Sequence, residues 1–485
     1  MGNPYLQGNY APLEHEHTIT DLEVTGHIPE HLDGRYLRNG PNPAEEIDPA
    51  AYHWFTGDGM VHGVRIRAGK AEWYRNRWVR TASVARKFGE KPVPRKNSAG
   101  WADTGPNTNI IGHAGKTIAL VESGIVNYEL SDELDTLAQC DFDGTITGGY
   151  TAHPKRDPRT GDLHAVSYFW GRGKRVQYSV IGPDGRAKRT VDIPVTGSPM
   201  MHDFSLTEKH VVFYDLPVTF DVGNVIKNNI PAPLRAPARL VLSSLMGKVK
   251  TPDPLAIRAG AGVRGNGPMP YRWDSKYPAR VGVMPRNGGA ADVRWFDIEP
   301  CYVYHPLNAY DDGDQIVLDV VRHERTFDAE ANGPFESPIT LDRWRVDLAA
   351  GKVLEDRLDD RPQEFPRVDE RLVGLRHRYG YAVEAAGSRS QPGTTEAIVK
   401  HDLVSGQTTR RSFGPGTSPG EMVFVPNGPD AAEDEGVLMG FVYYPETQRS
   451  DLTLLDAGSL ETVAAIHLPN RVPNGFHGNW VPIGQ

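Results

Sequence analysis

Cysteine is nearly absent from this chain: Cys140 and Cys301 are the only two in 485 residues. Two thiols cannot build a disulfide framework or a thiolate metal site, and they predict a reducing compartment. No apolar run approaches the roughly 18 residues that a membrane-spanning helix needs. The opening MGNPYLQGNYAPLEHEH carries neither the basic stretch nor the apolar core of a signal peptide. Gly2 does not complete a myristoylation signal, because Leu6 stands where Ser or Thr is required. The expected location is therefore the cytoplasm, with at most peripheral contact to the inner face of the membrane. Basic excess is missing too. The net charge is −9, which argues against a nucleic-acid binder. DAAEDEG at 430–436 is too short to be more than a solvated loop. There is no G-x-G-x-x-G between a strand and a helix and no P-loop, so no nucleotide cofactor is expected. Nothing points to an obligate protein partner.

Glycine and proline are plentiful instead, with 51 and 39 residues respectively. Together they far exceed their usual share of roughly 12%. Frequent turns follow, and the segments between them read as strands: LHAVSYFW (163–170), RVQYSVI (175–181), HVVFYDL (210–216), QIVLDVV (315–321), GVLMGFVYY (436–444), DLTLLDA (451–457) and ETVAAIHLP (461–469). Each is short, rich in β-branched and aromatic residues, and bounded by Gly, Asp or Pro. Long helical patterns are scarce. Many short strands in a long chain without a linker predict an all-β fold, and a propeller best fits the length. WD and kelch repeats are absent, so that expectation does not rest on repeat motifs.

A single domain over 1–485 is expected, with 221–275 as a cap or insertion rich in Pro, Gly and basic residues. Within it, ARLVLSSLMGKVK (238–250) places Ala238, Val241, Leu242, Leu245, Met246 and Val249 on one helical face. Arg239, Ser243, Gly247 and Lys250 lie opposite. This short amphipathic helix either packs on the body of the protein or touches a membrane from which an apolar substrate is drawn.

Of 17 histidines, four stand apart. His153 in TAHPKRDP, His202 in MHDF, His305 in YHPLNAY and His477 in GFHGNW each lie where an apolar segment meets a turn. They are too distant in sequence for a local metal motif, so only the fold can bring them together. An all-imidazole shell is neutral and suits iron among other metals. His15, His17, His27, His31, His323, His377 and His401 have polar or charged neighbours and read as ordinary surface or satisfied core residues rather than ligands. A metal-bound imidazole needs its second nitrogen held, usually by a carboxylate. Glu122 in ALVESGIV, Glu364 in QEFPRV and Glu421 in PGEMVFVP lie in apolar settings suited to that role. Taken singly, each also reads as an exposed loop carboxylate.

The chain resembles the carotenoid cleavage oxygenase family from end to end. The resemblance is carried by GRYLRNGPNP (34–43), HWFTGDGMVHGV (53–64), NTNIIGHAGKTIALVESG (107–124), TAHPKRDP (151–158), MHDFSLTEKHVVFYDLP (201–217), ARVGVMPR (279–286), WFDIEPCYVYHPLNAY (295–310), EFPRVDER (364–371), PGEMVFVP (419–426) and VPNGFHGNWVP (472–482). It implies a seven-bladed β-propeller with a cap of loops and helices over an axial metal site. It also implies Fe(II) on His153, His202, His305 and His477, with Glu122, Glu364 and Glu421 holding three of the four rings. Which glutamate serves which histidine is left open at this level.

The implied reaction is cleavage of a conjugated C=C bond by O2 to give two carbonyl products. The substrate is an apolar conjugated small molecule, a carotenoid or apocarotenoid. An apolar tunnel is required, and Phe55, Phe204, Tyr304, Phe476 and Trp480 flank the motifs as candidates; each could equally be propeller core. One branch of the family cleaves phenolic stilbenes and is understood to carry a lysine just before the first of the three glutamates. Here Val121 stands in that place and cannot bond a phenol oxygen, which favours the carotenoid reading. The alternatives are a lignostilbene-type dioxygenase, a non-oxidative isomerase on the same scaffold, and a propeller that only binds ligands.

Overall fold

A computed structural model of the chain describes residues 3–50, 52–96, 98–221, 269–328, 336–385 and 396–483, together with 223, 233, 235 and 236. Its strands form seven antiparallel sheets of four to six strands and one two-stranded ladder. The seven sheets are the blades of a β-propeller.

In chain order, blade 2 is Asn109–His113, Lys116–Leu120, Asn127–Leu130 and Thr136–Cys140. Blade 3 begins with Lys155–Arg156, blade 4 with Phe204–Leu206, blade 5 with Tyr302–Asp312 and blade 6 with Gln363–Arg367. Tight turns join neighbouring strands. Ala68 and Gly69 (φ 45° and 74°) link Gly59–Arg67 to Lys70–Trp78, both in the left-handed region that a two-residue hairpin turn demands. The seven segments read from the sequence as strands are all strands here.

Two blades are built from both ends of the chain. Blade 1 holds Gly34–Pro41, Gly59–Arg67 and Lys70–Trp78, with Gly478–Pro482 added on its inner side. The register runs from Gly34 opposite Pro482 to Arg38 opposite Gly478. Blade 7 begins with Ser418–Pro419 and Val423–Pro426, and takes Glu23–Gly26 from the N-terminal region as its outermost strand. The ring is thus closed by hydrogen bonds at two neighbouring blades.

The first strand of each blade lies nearest the axis, since the first strands of blades 4, 5 and 6 contact one another, as do the inner strands of blades 7, 1 and 2. Burial falls outward. Tyr302–Asp312 is buried over most of its length, whereas Gln407–Ser412, the outermost strand of blade 6, is exposed throughout. Between blades the sheets pack face to face. The largest core spans blades 3 to 5 and includes Phe204, Phe213, Tyr302 and the fully buried Trp344. Each such side chain contributes on the order of 1.5–3 kcal/mol by leaving water.

Helix is scarce among the described residues; the one α-helix with a full span is Ala82–Lys87, capped by the Thr81 hydroxyl. The segment expected as a cap at 221–275 enters and leaves through Val218–Phe220 and Tyr271–Trp273, which pair with each other. It is an insertion between the second and third strands of blade 4, and its last residues belong to that ladder. The amphipathic segment 238–250 lies outside the described residues. No described helix is long and apolar enough to cross a membrane.

Candidate metal centre

Each blade sends one side chain to the axis. His477, just before Gly478–Pro482, comes from blade 1, and Glu122, two residues past Lys116–Leu120, from blade 2. His153 and His202 each stand two residues before the first strands of blades 3 and 4. His305 lies within the first strand of blade 5, Glu364 within that of blade 6, and Glu421 two residues before Val423–Pro426 of blade 7. Strands that taper toward a common axis bring their inner ends together whatever their separation in sequence. Two of these residues sit at breaks in the ladder. The pairing of blade 5 slips around Pro306, which has no N–H to donate. That of blade 6 slips after Glu364, where Phe365 has φ 53°. A left-handed phenylalanine is strained, and here its N–H bonds the Glu364 carboxylate at 2.7 Å.

The four imidazoles converge. Ring centroids of His153 lie 4.4, 5.1 and 4.6 Å from those of His202, His305 and His477. His305 is 5.2 Å from His202 and 4.8 Å from His477. One nitrogen from each of His153, His305 and His477 falls within 4.8 Å of the others. The Nε2 atoms of His202 and His305 are 3.3 Å apart. All four rings are buried.

Three of them are held from behind. His202 Nδ1 donates to Glu122 at 2.9 Å, His305 Nδ1 to Glu364 at 2.6 Å and His477 Nδ1 to Glu421 at 2.9 Å. Glu364 also accepts from His323 Nε2 at 2.7 Å. Glu421 accepts the Gly478 N–H at 2.9 Å and lies 3.5 Å from the Arg367 guanidinium. His153 has no such carboxylate. Its nearest, Asp203, is 3.9 Å away and bonded to Lys155 at 2.9 Å.

The electrostatics follow from burial and pairing. Burial, reinforced by the three neighbouring rings, holds the His153 pKa well below its ordinary value. Burial also lowers that of His305 despite Glu364. For His202, burial opposes charge, yet Glu122 outweighs it and the pKa is raised. Burial would raise the carboxylates, but His305 and His323 hold Glu364 far below the usual range. Arg367 and His477 likewise hold Glu421 at about 2. Glu364 and Glu421 are therefore ionised acceptors, which favours the proton of His305 and His477 on Nδ1 and leaves their Nε2 atoms turned toward the axis.

These residues fit a metal ion. The Nε2 atoms of His202 and His305, 3.3 Å apart, are close enough to share one proton or to be held by one cation. Two nitrogens at right angles on a first-row metal, with bonds of about 2.1 Å, lie about 3 Å apart. His153 Nε2 is buried without a partner, although a buried polar atom left unpaired costs roughly 1–3 kcal/mol. Three carboxylates around four neutral ligands offset a divalent charge.

Of the aromatic candidates, three gather beside the histidines. Tyr304 meets His202 edge-on at 5.4 Å, and Phe55 lies 6.4 Å from Tyr304 and 5.6 Å from Phe476. The other two do not join them. Phe204 is fully buried in the blade 3–5 core beneath Lys155, and Trp480 packs in the core shared by blades 1 and 7. Both lie near a site residue in sequence, but their side chains pack between blades instead. Phe365 was not singled out in the sequence; its ring lies 5.6 Å from His305, nearly parallel, and 5.3 Å from His477. His323, expected to be an ordinary surface or satisfied core residue, is a buried one, and its Nε2 donates to Glu364. His377 and His401 are buried as well, against Asp319 and Gln363. Position in a strand, rather than the polarity of adjacent residues, was the available signal for His323: its partner in the ladder is Tyr302, one turn of the pleat from Tyr304.

The model of the retinal pigment epithelial membrane protein family matches residues 10–482. The chain is 58% identical to a carotenoid cleavage oxygenase of Mycobacterium tuberculosis, over 99% of this chain and 98% of that one. Among solved structures it is similar to a lignostilbene dioxygenase of Pseudomonas brassicacearum, with 28% identity, a TM-score of 0.81, and coverage of 99% and 98% of the two chains. It is also similar to a cobalt-substituted apocarotenoid oxygenase of Synechocystis, with 27% identity, a TM-score of 0.78, and coverage of 97% and 96%.

Proposed function

Because this chain belongs to the carotenoid oxygenase family described by the retinal pigment epithelial membrane protein model, we propose that it is an Fe(II) dioxygenase that cleaves a conjugated C=C bond of a carotenoid or apocarotenoid. One observation carries the reading: four buried imidazoles from four blades converge, three of them held by carboxylates from the other three. His153, His202, His305 and His477 would hold the iron. Glu122, Glu364 and Glu421 orient three of the rings and keep their protons on Nδ1. Bound Fe(II) supplies the chemistry that lets O2 react with an alkene.

The rest is done by the protein's own shape. Overall, one C=C bond and one O2 give two carbonyl groups, so no external reductant is consumed. Tyr304, Phe365, Phe55 and Phe476 form an aromatic wall on which a planar polyene lies against the histidines. The wall excludes water and fixes the reacting bond, the main contribution a protein makes to such chemistry. Val121, buried beside Glu122, offers no donor to a phenol. That supports a carotenoid or apocarotenoid over a phenolic stilbene.

Three measurements on the purified protein test the reading together. About one iron per chain is expected, with O2 uptake on a panel of carotenoids, apocarotenoids and stilbenes, and two carbonyl products by mass. Uptake with stilbenes alone transfers the activity to that class. Products without added oxygen indicate an isomerase, and full activity in iron-free protein removes the mechanism.

A further inference from the structure

Among the described residues, His153 is the one ring of the four with no carboxylate at bonding distance, although a carboxylate stands beside it. Asp203 Oδ2 lies 3.9 Å from His153 Nδ1. Both residues are buried, at 4% and 6% exposure. An N–H···O bond closes at about 2.9 Å, so this pair falls short by about 1 Å. Glu122, Glu364 and Glu421 have each closed that distance on their own rings.

Lys155 is what occupies Asp203. Its Nζ lies 2.9 Å from Oδ1 and 3.1 Å from Oδ2, so the ammonium takes both oxygens. Oδ1 also accepts the Phe204 N–H at 2.7 Å. Lys155 opens the first strand of blade 3, just past His153, and Asp203 stands between His202 and the first strand of blade 4. The ion pair therefore bridges the two blades that supply these two rings. The ammonium also lies 5.6 Å from the centre of the Phe204 ring, which helps to hold it in place. Oδ2, the oxygen nearest His153, is thus contested by a full positive charge and by the N–H of a neutral imidazole. The charge wins, because a charge-assisted bond is roughly twice as strong as a neutral one.

This pairing has a consequence for a metal. A carboxylate on the outer nitrogen makes an imidazole a stronger donor to its ion. Added negative charge also favours the more highly charged ion, so a fourth contact of this kind would favour ferric over ferrous iron. We propose that Lys155 is a positioning residue that withholds Asp203 from His153, leaving the metal three strongly donating rings and one weaker one and so favouring the ferrous state. The inference rests on the proposed iron centre and adds to it a part for Lys155 and Asp203.

Removing the ammonium should then tighten metal binding rather than weaken it. In Lys155→Met the buried Asp203 loses its cation, and an unpaired buried charge is driven to the nearest donor, the His153 Nδ1–H. Cobalt(II) is the probe, titrated into the metal-free full-length protein against a competing chelator and read by its visible d–d bands. Lys155→Met is expected to bind cobalt about tenfold more tightly than the wild type, with shifted bands. Loaded with iron, it should show a lower ferric/ferrous midpoint potential. Adding Asp203→Asn to Lys155→Met should return affinity and bands to their wild-type values. Asp203→Asn alone serves if Lys155→Met does not fold. It should change cobalt affinity by far less than the roughly tenfold that loss of a bonded outer carboxylate costs. Unchanged bands or unimproved affinity in Lys155→Met, a shift that survives in the double variant, or a loss of about tenfold in Asp203→Asn would overturn the proposal. A wild type that takes up neither cobalt nor iron would overturn the metal centre itself, and the inference with it.

Discussion

His202 Nε2 and His305 Nε2 lie 3.3 Å apart, although 103 positions separate the residues in sequence. Each ring is turned by a carboxylate bonded to its other nitrogen, Glu122 for one and Glu364 for the other. Two blades beyond their own, 2 and 6, supply those carboxylates, and the convergence of the four rings suits a cation in their middle.

Replacing either ring should remove the metal. His202→Ala or His305→Ala is expected to bring iron, measured by a colorimetric assay, from about one per chain to near zero, and O2 uptake with it. Chelation of the wild type should lower its thermal midpoint by roughly 3 °C, since a ligand at 100 times its Kd stabilises by about 2.7 kcal/mol and a chain of this length loses about 1 kcal/mol per degree at its midpoint. An unchanged midpoint would show that nothing binds there.

Glu364 should matter more than its distance from the lone pairs suggests. It accepts from both His305 and His323, and an amide cannot accept from both on two oxygens. Glu364→Gln is expected to weaken iron binding by about 10- to 100-fold. His323→Phe should weaken it in the same direction by a smaller factor, because Glu364 keeps its bond to His305. Equal iron affinity in all three proteins would sever His323 from the site.

Acid should destabilise the fold well above the carboxylate range. Burial holds His164 and His401 at a pKa of about 4, against 6.5 for a free imidazole. Between those values the unfolded chain binds more protons than the folded one, so stability rises with pH across that window and is lost as pH falls through it. Urea midpoints should decline steadily from pH 7 to pH 4. His401→Gln, which keeps a polar partner for Gln363, should flatten the slope.

A glycine far from the lone pairs controls Glu122. Gly149 has φ 83°, and a Cβ there would stand 2.5 Å from the Cα of Gly124, two residues past Glu122. Gly149→Ala is expected to cost about 1–3 kcal/mol by the backbone shift it forces. It should also reduce iron affinity, because Gly124 and Ser123 carry the turn on which Glu122 sits. Iron affinity equal to the wild type would show that the turn absorbs the strain locally.

Much of this was legible before any tertiary contact. Alternation and turn chemistry are local properties, so strands such as Arg175–Ile181 and Gly436–Tyr444 could be read residue by residue. So could the unusual settings of the four histidines and three glutamates, whose family pattern spans the chain. Tertiary structure alone decided what each of them faces. Glu122 was matched to His202, Glu364 to His305 and Glu421 to His477 by the order of blades around the axis, which no spacing reveals. His323 has charged neighbours in sequence and is nonetheless fully buried, while Phe204 and Trp480 sit beside site residues and point into blade cores. The physical reason is the same in each case. A strand fixes which of its residues share a face, but only packing against the neighbouring blades fixes which face looks inward.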